Sequence, residues 1–134
     1  MIRVVIVTHG EFGSALLGTL QMILGKTEGI VSVSLFSEDS PENLRSKIEK
    51  ALNQVDPEGQ GALILVDMLG GTPFNVGIQL AADRKVQVIT GVNLPMLVQA
   101  VSHGDGENLE TLGQEIQKAA RNGVVTSTEL FKKQ

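Results

Sequence analysis

Two runs, Val4-Val5-Ile6-Val7 and Ala62-Leu63-Ile64-Leu65-Val66, contain only aliphatic side chains. A strand with one wet face alternates apolar and polar residues, so an unbroken run must be covered on both faces. Chains meet that demand by laying strands parallel and returning through helices packed on either side. The rest of the sequence keeps this rhythm. Strands are predicted at 2–8, 30–35, 61–66 and 86–90, alternating with segments of helical period. The first helix is expected at about 13–24, with Phe12, Leu16, Leu20 and Ile23 on one face. Ser40 reads as the N-cap of a second helix, Pro41 lies in its first turn, and Leu44, Ile48, Leu52 and Val55 form its apolar face. Thr72-Pro73 opens a third helix to about Ala82. After Gly91-Val92-Asn93-Leu94-Pro95, a short helix should end near His103-Gly104. A last helix, about 106–121, places Leu109, Leu112 and Ile116 together and should stop at a left-handed cap at Asn122-Gly123. The β-branched stretch Val124-Val125-Thr126-Ser127-Thr128 reads as a fifth strand at the sheet edge.

Length and composition narrow the class. A chain of 134 residues without linker, repeat or low-complexity segment is expected to form one domain, 1–134. With 42% hydrophobic and 19% charged residues it should be globular. It has no cysteine, which removes disulfides, thiol nucleophiles and thiolate metal sites. No apolar stretch reaches the roughly 18 residues of a membrane span, and Met1-Ile2-Arg3 does not start a signal peptide. The cytoplasm is the expected compartment. A net charge of −4, with neither Trp nor Tyr, speaks against a nucleic-acid partner.

The chemistry collects at two strand ends. His9, one of two histidines, closes the first run, and Asp67 closes the other. Open parallel sheets place their sites at the carboxyl ends of strands. Alone, either residue would be an ordinary surface or turn residue. Side by side they form a nucleophile and the carboxylate that orients it. Gly10 admits close approach of a ligand, and Gly70-Gly71-Thr72-Pro73 offers backbone N–H groups and a hydroxyl where a helix begins, a cradle for an anion. The pattern points to a histidine that accepts a phosphoryl group. His103 reads as a structural residue favoured by the negative end of a helix. No Arg or Lys occupies the loops around His9, Asp67 or Thr90, so the phosphoryl group would be held by dipoles and passed on. Phe12, Phe36, Met68, Leu69, Leu94, Pro95 and Met96 crowd the same edge, the makings of a docking surface for protein partners.

Two other classes share fragments of this pattern. A histidine phosphatase carries Arg-His-Gly, but Thr8 stands where the arginine is needed. A signalling receiver is phosphorylated on an aspartate placed like Asp67, but it needs an acidic pair after strand one, where Thr8-His9 stands, and a late lysine.

Val7-Thr8-His9-Gly10, Asp67-Met68-Leu69-Gly70-Gly71-Thr72-Pro73-Phe74-Asn75 and Ile89-Thr90-Gly91-Val92-Asn93-Leu94-Pro95-Met96-Leu97 resemble the IIA component of the mannose-class bacterial phosphotransferase system, along essentially the whole chain. Some members carry an indole where Met68-Leu69 stands. The resemblance implies a flavodoxin-like α/β sheet of four parallel strands, with an antiparallel C-terminal edge strand exchanged in a homodimer. It implies that His9 takes a phosphoryl group on Nε2 from the histidine-containing phosphocarrier protein and gives it to the IIB component. The membrane components IIC and IID are then reached only indirectly. Asp67 would hydrogen-bond the imidazole, and Gly10, Gly70, Gly71 and Thr72 would surround the phosphoryl group. No cofactor or metal is implied. The chain ends soon after the fifth strand and reads as a stand-alone IIA subunit.

Overall fold

A computed structural model describes residues 2–102 and 108–132. The chain runs β1 (Val4–His9), α1 (Phe12–Leu24), β2 (Ile30–Leu35), α2 (Pro41–Val55), β3 (Ala62–Val66), α3 (Gly71–Asp83), β4 (Val86–Ile89), α4 (Leu94–Ser102), α5 (Leu109–Asn122) and α6 (Ser127–Lys132). The four strands form one parallel sheet in the order β2-β1-β3-β4. Val4 stands opposite Ile30 on one side and Leu63 on the other. The two unbroken aliphatic runs are thus the central strands, as their lack of alternation requires.

Alternate residues of the central strands serve opposite layers. Val4, Ile6, Leu63 and Leu65 join Leu20 of α1, Met96 and Leu97 of α4, and Leu112 and Ile116 of α5. Val5, Val7, Ile64 and Val66 join Leu44, Ile48 and Leu52 of α2 and Val76 and Leu80 of α3. The start of α2 follows from its local sequence. Ser40 Oγ accepts from the Asn43 N–H at 3.0 Å, Asn43 Oδ1 accepts from the Ser40 N–H at 3.1 Å, and Pro41 supplies the first turn. Among the described residues, no helix is long and apolar enough to cross a membrane.

The structure corrects the expected face of α1. Phe12 and Ile23 are exposed, while Gly13 and Leu20 are buried and Leu16 and Leu17 half-buried. The cause is Gly13, where a Cβ would lie 3.0 Å from Ile6 Cγ2. That close approach sets the helix's rotation. The expected end of α4 at His103-Gly104 lies outside the described residues, and α5 begins at Leu109, with Asn108 as its cap.

Asn122-Gly123 is not a left-handed cap. Gly123 has φ −78° and ψ −6°, an ordinary right-handed conformation. Glycine is needed there for space: a Cβ would fall 2.5 Å from Cγ of Pro95. Nor do residues 124–128 form a fifth strand in the single chain. Residues 124–126 are irregular and α6 follows, Thr126 Oγ1 accepting from the Glu129 N–H at 3.2 Å. A strand gains stability only by pairing, and the tail pairs with no strand of its own chain, so a local cap shapes it. The helix buries nothing, and Phe131 is 72% exposed.

Gly123→Ala should therefore destabilise the protein through contact with Pro95, by about 1–3 kcal/mol as for other overpacked sites. Urea denaturation measures this directly; a midpoint equal to wild type would show that the α4–α5 junction yields freely.

Candidate functional site

After β1 the chain crosses to β2 on one side of the sheet, while β3 leads to β4 on the other. The crevice between β1 and β3 is the switch point at which such sheets bind ligands. His9 is the last residue of β1 and Asp67 the first after β3.

One oxygen joins them. Asp67 Oδ2 accepts from the backbone N–H of His9 at 2.9 Å and lies 2.8 Å from its Nδ1. An ionised carboxylate only accepts, so the proton of this contact sits on Nδ1 and the Nε2 lone pair faces outward. The side chain of His9 is 50% exposed and that of Asp67 14%. Partial burial pushes the Asp67 carboxyl up, but the backbone N–H, ring and charge of His9 outweigh it and hold the carboxyl below its ordinary value. Asp67 is therefore ionised at neutral pH.

Glycines line the outer edge of the ring. Gly70 and Gly71 have φ of 84° and 83°, open only to glycine at little cost. A Cβ on Gly71 would lie 3.4 Å from His9 Cε1 and 3.7 Å from Nε2. Here α3 begins, with no side chain capping it, so its first N–H groups and positive dipole end lie beside Nε2. Thr72 is half-buried in the same turn. Gly10, at φ 54°, is held by its N–H to the Leu35 carbonyl at 2.8 Å. The loop after β4 is tied in by the Val92 N–H, which donates to the Val66 carbonyl at 3.0 Å.

The structure thus brings His9, Asp67, Gly70 and Gly71 into one cluster, with Gly10 and Thr72 in the adjoining turns. Of the apolar residues expected around it, Phe12, Phe36, Met68 and Leu69 are exposed. Met96 is in the core, with Leu94 packed against it and Pro95 half-buried. The latter three lie on α4, which seals one layer of the sheet. One residue of the site escaped the sequence reading: Thr8 is fully buried, and its Oγ1 accepts from the Gly13 N–H at 2.8 Å. The available signal was a hydroxyl in an otherwise aliphatic strand.

Comparison with known proteins gives the family. The family model described as PTS system fructose IIA component matches residues 3–117, so the chain belongs to the mannose-class IIA components of the sugar phosphotransferase system, proteins of sugar transport. It is 37% identical over 103 residues to the PTS system fructose-specific EIIA component of Bacillus subtilis, covering 76% of this chain and 70% of that protein. It is 34% identical over 125 residues to the mannose-specific EIIAB component of Escherichia coli, covering 92% of this chain and 38% of that longer protein. The crystal structure of phosphotransferase system component EIIA from Streptococcus agalactiae superposes with a TM-score of 0.84 at 32% identity, covering 96% of this chain and 99% of that one.

Since folding lowers the Asp67 value, its ionised form stabilises the native state above the ordinary carboxylate range, and that contribution is lost as pH falls through the folded value. The urea midpoint of wild type should exceed that of Asp67→Asn most at about pH 7 and converge with it well below the ordinary Asp value of about 3.9. A gap that does not change with pH would show that the carboxylate is not linked to folding.

Proposed function

We propose that His9 is the phosphoryl carrier: it accepts the group from the histidine-containing phosphocarrier protein and passes it to the IIB component for coupled sugar uptake. The observation that carries this reading is the 2.8 Å contact between Asp67 Oδ2 and His9 Nδ1, which leaves Nε2 as the nucleophile. In the first transfer, the Nε2 lone pair forms a bond to phosphorus as the donor's N–P bond breaks and its imidazole leaves with that electron pair. The His9 ring gains positive charge, which the Asp67 carboxylate balances, much as a triad aspartate supports its imidazolium. The N–H groups at the start of α3, the turns at Gly10, Gly70 and Gly71, and the Thr72 hydroxyl hold the phosphoryl oxygens. The second transfer reverses these steps toward IIB.

The rival chemistries lack support at the same residues. Thr8 is buried and capping a helix, so it clamps no phosphate as a phosphatase arginine would. Asp67 spends one oxygen on two His9 contacts and is mostly buried, which disfavours it as a receiver aspartate. Phe12, Phe36, Met68 and Leu69 form the rim on which donor and acceptor dock in turn. The outer face of α1 extends it: the helix carries no charged residue, and Met22 and Ile23 are exposed.

The same reading makes residues 1–134 one IIA domain, places it in the cytoplasm, lets it reach IIC and IID only through IIB, and makes it a homodimer. Two observations support pairing through the tail. Val124 and Phe131 are 75% and 72% exposed. A groove of about 520 Å³ runs between the edge strand β4 and α5, lined by Gln87, Ile89, Gln117 and Arg121. Residues 124–131 of a second copy, unwound from α6, would fill it as an antiparallel edge strand.

Intact mass after incubation with phosphoenolpyruvate, enzyme I and the phosphocarrier protein tests the assignment. Wild type and His103→Ala should gain one phosphoryl group and His9→Ala none; labelling that survives loss of His9 refutes it. Asp67→Asn should remain folded but transfer slowly, by less than the about 10⁴-fold loss of the analogous protease substitution, because phosphohistidine is already an activated donor. Light scattering tests the dimer: the whole chain should be dimeric and a chain stopped after Gly123 monomeric. A dimer that persists without the tail would exclude the exchange.

A further inference from the structure

We propose that Thr8 is a positioning residue for phosphoryl transfer, its buried hydroxyl tying the start of α1 to β1 and thereby fixing the aim of the His9 imidazole. The proposal rests on the reading of His9 as the carrier and adds to it a residue that touches neither the ring nor the phosphoryl group.

Side chains of β1 that face the α1 layer come at every second position: Val4, Ile6, then Thr8. The first two are aliphatic and buried. Thr8 is equally buried, at 0% exposure, and it and Asp56 are the buried polar residues among those described. A hydroxyl removed from water is unfavourable unless it is bonded. Thr8 Oγ1 accepts from the Gly13 N–H at 2.8 Å. Gly13 is the second residue of α1, in the turn whose N–H groups have no partner within the helix. The residue at the N-cap position, Glu11, makes no side-chain cap. The strand therefore caps the helix from outside. A Cβ on Gly13 would lie 3.0 Å from both Thr8 Oγ1 and Ile6 Cγ2, so a glycine there keeps the approach open.

The bond closes a ring around His9, Gly10, Glu11 and Phe12. Within it, the His9 N–H is held by Asp67 and the Gly10 N–H by the Leu35 carbonyl. These two anchors fix the strand side of the turn, and Thr8 fixes its helix side. Without the third, the turn can rotate about Gly10, which as a glycine passes between positive and negative φ at little cost. The His9 Cβ would follow, and Nε2 would leave the line of attack. Alignment is the main contribution a site can make to a loose phosphoryl transfer.

Thr8→Val removes the hydroxyl and keeps the shape; Thr8→Ser keeps the hydroxyl. With phosphorylated phosphocarrier protein as donor, Thr8→Val should lose up to about 10²-fold in maximal transfer rate, the penalty of roughly 1 Å of misplacement, with its half-saturating donor concentration unchanged. Thr8→Ser should restore the rate. A rate equal to wild type in Thr8→Val, or a loss confined to the half-saturating concentration, overturns the proposal. Two measurements need no partner protein, so they decide the role of Thr8 even if His9 proves not to be the carrier. Nitrogen-15 shifts of the His9 ring should report the Nδ1–H tautomer in wild type and a tautomer mixture in Thr8→Val; identical shifts overturn the proposal. The Gly13 amide of wild type should exchange with solvent more slowly than those of Glu11 and Phe12. Equal exchange would refute the anchor even if Thr8→Val failed to fold.

Discussion

One carboxylate oxygen holds the site together. In the parallel ladder between β1 and β3, the last paired residues are Val7 and Val66. Beyond them Asp67 Oδ2 takes the place of a backbone acceptor, receiving the N–H of His9 while also meeting its ring. An exposed His–Asp pair in water would be held only weakly. Here one of its two contacts continues the sheet, so the end of the ladder takes part in orienting the ring. The same geometry lowers the Asp67 value against the effect of burial. That keeps the acceptor anionic, and an anionic carboxylate can only accept, so it directs the Nδ1–H toward itself.

What could be read from the sequence was whatever short stretches decide by themselves. Val4–Val7 and Ala62–Val66 announced central strands because no one-sided burial suits them. Ser40-Pro41-Glu42-Asn43 fixed the start of α2 through bonds spanning three residues. His9 and Asp67 stood out because strand ends are where parallel sheets converge. Three misses involve a partner in another element of the fold, whether near or far along the chain. Gly123 is dictated by Pro95 and the rotation of α1 by contact between Gly13 and Ile6, and neither proximity can be read from periodicity. Thr8 was visible as a residue but not as a helix cap, because its partner lies across the turn that carries the site.

The tail is a different kind of miss. Residues 124–128 have strand propensity, yet Thr126 and Glu129 supply a helix start. A six-residue helix that buries nothing lies below the length at which helices are stable on their own. Neither preference is strong, so the outcome depends on whether a sheet edge is within reach. Within one chain β3 covers one side of β4, and its other side opens on the groove against α5. In the proposed homodimer, the tail would exchange this weak helix for a place at the sheet edge.

The carrier role proposed for His9 requires a site that lets go as readily as it binds, and the geometry suits that role. His9 is half exposed while its orienting carboxylate is mostly buried, so Nε2 faces outward while Nδ1 is held. The loops around it hold no arginine or lysine to grip a phosphoryl group. Backbone dipoles at the start of α3 offer weaker, directional stabilisation. A strongly basic pocket would deepen the well in which phosphohistidine sits and slow the second transfer by as much as it speeded the first. In the proposed transfer, specificity would rest with the exposed apolar rim of Phe12, Phe36, Met68 and Leu69, which can favour docking without fixing the phosphoryl group in place.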